Sequence, residues 1–273
     1  MIDYLDTVQH MDALDLLRSL PDASVDMIFT DPPYGHNNNN GDLIQRRELA
    51  LGKEKAVRES RPILNDGPEA NDLFYRFLGE AQRVLKPGAC CCCCCCGGGG
   101  PDPQFARWTL WMDEVIGFKQ AVVWDKGPMG MGWHYRRSYE FVLVAQKPGA
   151  ACKWYDVTRA IENIIRPGNG ASKQIPAESD HPTKKPVGLA MWFIRLHSQP
   201  GDIVCDPFAG GGSTLKAARL LGRRFIGADL DLYWVDYTRR ELQQPYTPPL
   251  FDLDAPAPPA AAQLPLMGEG DAP

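Results

Sequence analysis

The chain has 273 residues, 44% hydrophobic and 23% charged, with a formal net charge of −5. That length can bury a full α/β core, and no run approaches the roughly 18 consecutive apolar residues of a membrane span. The acidic start, Met1-Ile2-Asp3-Tyr4-Leu5-Asp6, lacks the basic-then-apolar pattern of an export signal, so the expected location is the cytoplasm.

The charge is unevenly placed. Residues 246–273 hold Asp252, Asp254, Glu269 and Asp271 and no Lys or Arg, while 126–185 hold ten basic residues against five acidic ones. A basic face on a mildly acidic body suffices for phosphate contacts, so the net charge does not exclude nucleic acid.

Along the chain, strand-like and helix-like stretches alternate, the pattern of an α/β sheet. Met11, Leu14 and Leu17 recur at helical spacing, and Val25–Thr30 reads as a short buried strand ending at Asp31. Leu73, Phe74, Phe77, Leu78, Ala81 and Leu85 mark an amphipathic helix that should stop at Lys86-Pro87-Gly88. Seven of the nine cysteines, Cys90 to Cys96, are consecutive. Neighbours on a strand point to opposite faces, so the run cannot gather on one metal; it predicts a central strand packed on both faces, and no metal site is expected.

A helix is predicted over 103–117, then strands at about 120–125 and 139–146 separated by a glycine-rich loop. Residues 147–180 read as irregular. A helix follows Pro186, then a strand at Asp202–Asp206, a glycine turn, a helix from Ser213 and a strand at Arg224–Asp229. Residues 1–245 make the expected single domain, and the Pro- and Ala-rich 246–273 an expected disordered tail.

Two motifs carry chemistry. Asp31-Pro32-Pro33-Tyr34 directly follows a buried strand, where ligands bind in parallel sheets. An aromatic amino group is a poor nucleophile because its lone pair is delocalised into the ring. A carboxylate at Asp31 and the Pro32 carbonyl, each accepting one of its N–H bonds, would draw the nitrogen toward tetrahedral geometry. The prolines stiffen these acceptors before substrate arrives, and Tyr34 offers a face on which a base can stack. Alone, Asp-Pro-Pro also suits a plain strand-ending turn.

Asp206-Pro207-Phe208-Ala209-Gly210-Gly211-Gly212-Ser213-Thr214 also follows a strand and opens a helix. Glycines allow close backbone approach, and a helix start supplies free N–H donors. It is neither a Walker loop, lacking Gly-Lys-Ser/Thr, nor Gly-x-Gly-x-x-Gly, since Leu215 takes the last glycine's place. Asp229 ends the next strand, 23 residues beyond Asp206, where an acid would meet ribose hydroxyls.

The paired motifs, in this order, resemble the β group of DNA amino-methyltransferases, in which the sequence is circularly permuted around one fold. Thr7–Leu17 is similar to that family's segment beside the cofactor adenine, and His181-Pro182-Thr183-Lys184-Lys185-Pro186 to the segment before its cofactor loop. Trp124-Asp125-Lys126 and Arg137–Ala145 resemble its middle strands. The resemblance implies a doubly wound, mostly parallel, seven-stranded Rossmann-like sheet with one reversed strand. It implies S-adenosylmethionine as cofactor, lined by Asp206, Phe208, Gly210 and Gly212, with Asp229 on the ribose and Asp12 near the adenine. Lys185 would help close that pocket or stay solvated, and His181 reads as a turn residue. The family usually has Glu where this chain has Asp229; the shorter acid still reaches a diol.

The implied reaction is in-line methyl transfer to N6 of adenine in a base flipped out of double-stranded DNA. Ring-carbon methylation would need a cysteine nucleophile, typically beside a proline, and the chain has no Pro-Cys pair. N4 of cytosine is the alternative base, RNA an alternative substrate, and a non-catalytic DNA-binding subunit the alternative class. DNA contacts are expected from 36–70 and 127–180, with Arg46, Arg47, Lys53, Lys55, Arg58, Arg61, Arg136, Arg137, Arg159 and Arg166 in reach of phosphates and Asn37–Asn40 of base edges. No membrane contact is expected. A homodimer and a cognate nuclease are compatible with the sequence and are not indicated by it.

Overall fold

The computed structural model describes residues 4–36, 63–95, 104–127, 138–165 and 185–244, and in them strands and helices alternate. The order is β1 (Thr7–His10), α1 (Ala13–Ser19), β2 (Val25–Thr30), α2 (Ala70–Val84), β3 (Leu85–Cys95), α3 (Gln104–Val115), β4 (Phe118–Asp125), β5 (Tyr139–Gln146), β6 (Ile164–Ile165), α4 (Val187–His197), β7 (Ile203–Asp206), α5 (Ser213–Leu220), β8 (Arg224–Asp229) and α6 (Leu232–Gln243). The strands form one sheet in the order β1-β8-β7-β2-β3-β5-β4-β6. β5 runs antiparallel to β3 and β4, and every other pairing is parallel. The expected mostly parallel sheet with one reversed strand is present, with eight strands rather than seven; the two-residue β6 is too short to show any periodicity.

The cysteine run shows why the sheet is covered on both faces. Cys91, Cys93 and Cys95 pack in one core with Leu14, Leu17, Phe74, Phe77, Trp108 and Met112, from α1, α2 and α3. Cys90, Cys92 and Cys94 pack in the other with Leu189, Phe193, Leu215 and Val235, from α4, α5 and α6. Strand residues alternate between faces, so a run of small apolar side chains serves both layers without a break in polarity.

Each helix docks by the stripe its sequence carries. α2 buries Leu73, Phe74, Phe77, Leu78, Ala81 and Val84, the i, i+3, i+4 set. Phe74 stacks on Trp108 of α3 at 3.8 Å between centroids, and the Trp108 indole N–H donates to Asn71 Oδ1 at 2.9 Å. α1 and α6 are capped by Asp12 and Asp231, whose carboxylates accept from Leu14 N and Tyr233 N at 2.8 and 2.9 Å.

Three further elements, and one helix boundary, depart from the sequence reading. β3 begins at Leu85, so Lys86-Pro87-Gly88 lies inside the strand and does not separate helix from strand. Gly88 makes that course feasible: it has φ +80°, and a Cβ there would sit 2.2 Å from the Ala151 carbonyl oxygen. β1 and α6 are the other two. Four residues are too few to show alternation, and α6 buries only Trp234, Val235 and Thr238. Met11 precedes α1 and is not part of it.

Cys96, residues 37–62, 128–137, 166–184 and the 246–273 tail lie outside the described residues, and with them most of the expected DNA-contact segments. No helix among the described residues is long and apolar enough to cross a membrane.

Candidate active site

The connections out of β2 and β7 diverge. β2 leads through α2 to β3 on one side, and β7 leads through α5 to β8 on the other, while β2 and β7 are themselves neighbours. This is a topological switch point, and the crevice beyond the carboxyl ends of the two strands is where such sheets bind ligands. Asp31 follows β2 and Asp206 ends β7, so the two motifs face each other across it.

They are physically joined. The Thr30 hydroxyl, at the end of β2, donates to Asp206 Oδ1 at 2.6 Å. Lys185 makes the second link: its ammonium lies 2.8 Å from Asp31 Oδ2, while its carbonyl accepts from the Ser213 hydroxyl at 2.6 Å, at the start of α5. The sequence had Lys185 closing a cofactor pocket or solvated; its ammonium is buried against the tetrapeptide.

Asp31 is held from several sides. Its Oδ1 accepts from the Tyr34 hydroxyl. Lys185 also pairs with Glu140 Oε2 at 3.3 Å and lies 5.3 Å from the centre of the Tyr34 ring. Lys126 pairs with the other oxygen of Glu140 at 2.6 Å. Burial pushes the Asp31 carboxyl above its ordinary range, and the Lys185 ammonium only partly offsets this. Burial likewise raises the Tyr34 phenol, which therefore stays protonated and donates. Burial opposes the Lys185 ammonium, but Asp31 and Glu140 outweigh it and hold the group charged. In Glu140, burial is outweighed by Lys185 and Lys126, so it stays ionised.

Glu140 lies in the family-like segment Arg137–Ala145, but nothing in that segment singled it out. It reaches this end of the sheet because β5 is reversed: the start of an antiparallel strand lies beside the carboxyl ends of its parallel neighbours.

Asp66 was also unmarked. It is 2% exposed, and its Oδ1 accepts from the backbone N–H of Tyr34 and Gly35 at 2.8 and 2.7 Å. It thereby fixes the turn behind Pro32 and Pro33, with Tyr34 edge-on to Trp108 at 6.0 Å. Asp66→Ala leaves two N–H groups without this acceptor, each worth about 1–3 kcal/mol when unsatisfied and buried. We expect a lower melting temperature and a methylation rate reduced about 10- to 100-fold by loosened geometry, with cofactor affinity retained by equilibrium dialysis. An unchanged rate would remove Asp66 from the positioning apparatus.

On the other side of the crevice, Asp206 is 3% exposed. Its Oδ1 also accepts from Phe208 N at 3.2 Å. Burial raises its carboxyl to about 6, against the pull of the Thr30 and Thr214 hydroxyls and the Phe208 N–H. Phe208 is half-buried and meets Phe77 edge-on at 5.6 Å. Asp229 Oδ2 accepts from Gly210 N, and Oδ1 from Asp231 N, both at 2.8 Å. Burial raises this carboxyl too. Each oxygen keeps a lone pair for a further donor. Asp12 caps α1 one residue after Met11, whose N–H bonds to the Asp229 carbonyl at 3.1 Å, so it lies at the same strand ends.

Gly212 turns the chain into α5 with φ +74°, and a Cβ would fall 2.5 Å from Thr238 Cγ2 and 2.7 Å from its hydroxyl. That hydroxyl donates to the Gly210 carbonyl at 3.0 Å, holding the loop from α6. Gly212→Ala combines left-handed strain with overpacking and should cost about 2–4 kcal/mol, a melting temperature drop of roughly 5–15 °C. An unshifted calorimetric transition would show that the loop relaxes freely.

The switch-point crevice with an Asp-Pro-Pro-Tyr turn facing a glycine loop defines a Rossmann-like methyltransferase. The sequence profile of the N6/N4 DNA methylase family matches residues 25–240, and the chain belongs to that family. It is an S-adenosylmethionine-dependent DNA methyltransferase. Over 269 aligned residues it is 28% identical to the DNA adenine methyltransferase YhdJ of Escherichia coli K12, covering 86% of this chain and 82% of the relative. It shares its fold with a DNA modification methylase of Thermus thermophilus solved with S-adenosyl-L-methionine (TM-score 0.61, 24% identity, 86% and 92% covered). It also shares it with the cytosine-N4-specific PvuII DNA methyltransferase (TM-score 0.62, 19% identity, 85% and 86% covered).

The crevice suits that cofactor chemically: the partly exposed Asp229 carboxylate has acceptor capacity for a diol, Phe208 offers an aromatic surface, and Asp206 supplies negative charge where the glycine loop turns. His181 to Lys184 and the expected phosphate contacts other than Arg159 lie outside the described residues. Arg159 sits in an exposed turn with φ +54°, its N–H bonded to Asp156 Oδ2.

Proposed function

We propose that this chain methylates N6 of adenine in double-stranded DNA, on a base rotated out of the helix into the crevice beyond β2 and β7. The observation that carries the reading is the Lys185 bridge, which couples the Asp31 carboxylate to the start of α5 beside the cofactor loop. The bound cofactor supplies an electrophilic methyl on a sulfonium leaving group. Everything else is positioning. Asp31 and the Pro32 carbonyl accept the two N–H bonds of the target amine and expose its lone pair. Tyr34 stacks on the base, and its hydroxyl orients Asp31. Asp206, Phe208, Gly210, Gly212 and Asp229 hold the cofactor, with Asp12 near its adenine.

The Tyr34 hydroxyl and Lys185 occupy Asp31 when no amine is present, so a neutral donor and a cation keep the carboxylate aimed in a buried setting. Adenine is favoured by resemblance, since Asp-Pro-Pro-Tyr is more usual in the family's N6-adenine enzymes and Ser-Pro-Pro-Tyr in its N4-cytosine ones, and by the named activity of the Escherichia coli relative. Cytosine-N4 is the second reading, favoured by the fold shared with the cytosine-specific enzyme. Residues 36–70 and 127–180 are proposed as the DNA-contacting insertions in a catalytic domain spanning 1–245.

The test is expression in a host without DNA methylation of its own, followed by nucleoside mass spectrometry and single-molecule sequencing. N6-methyladenine in one sequence context is the expected result. N4-methylcytosine would overturn the base assignment, and unmodified DNA from a cofactor-binding protein would overturn the substrate.

A further inference from the structure

At the opposite end of the sheet, three metal-ligating side chains converge from three separate elements. Cys90 pairs in register with Met27 of β2, while Asp31 follows four residues later, so this end lies roughly 13 Å from the catalytic one along the strand. Cys152 comes from the segment after β5, and His197 is the last residue of α4. The two sulfurs are 3.9 Å apart, and both lie with a His197 ring nitrogen inside a 4.8 Å group. We propose that Cys90, Cys152 and His197 bind a single zinc ion, with the fourth position open to solvent beside Cys152.

The sulfurs lie at thiol–thiol hydrogen-bonding distance, a spacing that also fits a shared ion. Tetrahedral zinc with bonds of about 2.3 Å sets its two sulfurs about 3.8 Å apart. A disulfide needs about 2.05 Å and would have to draw the same atoms nearly 2 Å closer. His197 has the companion contact a ligating imidazole needs. Its Nδ1 lies 3.1 Å from the Lys153 carbonyl oxygen, and donation there leaves the Nε2 lone pair for a metal. The edge of Trp154, 5.2 Å away between centroids, further limits rotation of the ring.

The ligand-bearing segments are already pinned. Lys153 N donates to the Gly88 carbonyl at 3.0 Å, and Tyr155 N to the Leu196 carbonyl at 2.9 Å. The Lys153 ammonium pairs with buried Asp26 at 2.5 Å. Little order would need to be created on binding. Cys90 and His197 are 1% and 4% exposed, whereas Cys152 faces solvent, which gives the ion an entry route. Binding releases the two thiol protons, so dithiolate and divalent cation neutralise one another. Two thiolates with one imidazole suit zinc, and the ion would staple the chain after β5 to β3 and α4. The rest of the cysteine run takes no part; Cys91, Cys93 and Cys95 lie on the other face.

The experiment is titration of the reduced, untagged full chain with cobalt(II) alone. The expected result is one equivalent bound, with a tetrahedral visible band and a near-ultraviolet thiolate charge-transfer band, both displaced by zinc. Cys152→Ser should abolish both bands and weaken zinc by about 100-fold or more, beyond the 10- to 100-fold cost of losing an outer-shell partner. Its methylation activity should be unchanged. Absence of the bands in folded, active protein would overturn the site, as would bands that persist in Cys152→Ser.

Discussion

Asp31→Asn is expected to lower the methylation rate by about 10³-fold, within the range one positioned proton-accepting side chain contributes, while cofactor binding changes little. The amide keeps the size of the side chain and one acceptor for the Tyr34 hydroxyl. It loses the charge that draws on the target amine, and its NH₂ donors oppose the Lys185 ammonium, now 2.8 Å from Asp31 Oδ2. Glu140, 3.3 Å from Lys185, remains as a counter-charge. Stability should therefore fall by less than the roughly 3–5 kcal/mol of a fully orphaned buried charge.

Single-turnover rates with a methylatable DNA, alongside calorimetric cofactor titration, separate the two effects. A variant that turns over at the original rate would remove Asp31 from the chemistry. The wild-type profile carries a matching signature. Burial raises the Asp31 carboxyl and Lys185 offsets this only in part. The acid limb of single-turnover rate against pH should lie above the ordinary aspartate range, because only the ionised form accepts both an amine N–H and the Lys185 charge.

Asp206→Asn is expected to do the reverse on stability: melt at a higher temperature at pH 8 and bind cofactor about 10- to 100-fold more weakly, as loss of a buried charged partner does. The folded carboxyl is raised to about 6 from an ordinary 3.8, with burial as the main cause. Between those two values the folded protein holds a proton that the unfolded chain has lost. Stability therefore rises as pH falls through about 6, a gain complete near 3.8; above 6 the ionised group carries its full cost. That difference corresponds to about 3 kcal/mol, so neutralising the residue should raise the transition by roughly 5–10 °C.

The amide carbonyl can still accept from Thr30 and Phe208 N. The stability difference between variant and wild type should shrink as pH drops below 6. Thermal melts across pH 4–8 read this directly. A variant less stable than wild type at pH 8 would show that the carboxylate contributes more through its hydrogen bonds than burial costs.

Much of this architecture was legible in order along the chain. Val25–Thr30, the cysteine strand, the helix after Pro186 and the strand-turn-helix at 202–220 all carry local signals: unbroken apolar runs, a 3.6-residue stripe, glycines at a turn. Asp31 and the glycine loop stand out as candidates in the sequence because the residue types they combine are concentrated in a few consecutive positions. β1 and α6 were not, since one has four residues and the other a stripe of three buried side chains.

Asp66 and Glu140 are not legible in the sequence for a different reason. Neither is distinguished by its local sequence, and each acts on a partner far away in the chain: Asp66 on Tyr34 and Gly35, Glu140 on Lys185. Lys185 stands in a family-like segment, but nothing local to residue 185 indicates that its ammonium meets Asp31.

By itself, then, the sequence determined the alternating α/β layers and the positions of the two candidate motifs, because side-chain period and turn chemistry act between residues a few positions apart; the doubly wound class came from the resemblance those motifs carry. The tertiary structure decided which charges meet. The reversal of β5 brings Glu140 to the Asp31 end of the sheet, the β2–β7 pairing sets Thr30 against Asp206, and the end of α4 brings His197 to Cys90 and Cys152. Such contacts join residues that chain order separates by tens to well over a hundred positions, and only burial in a shared core fixes their geometry.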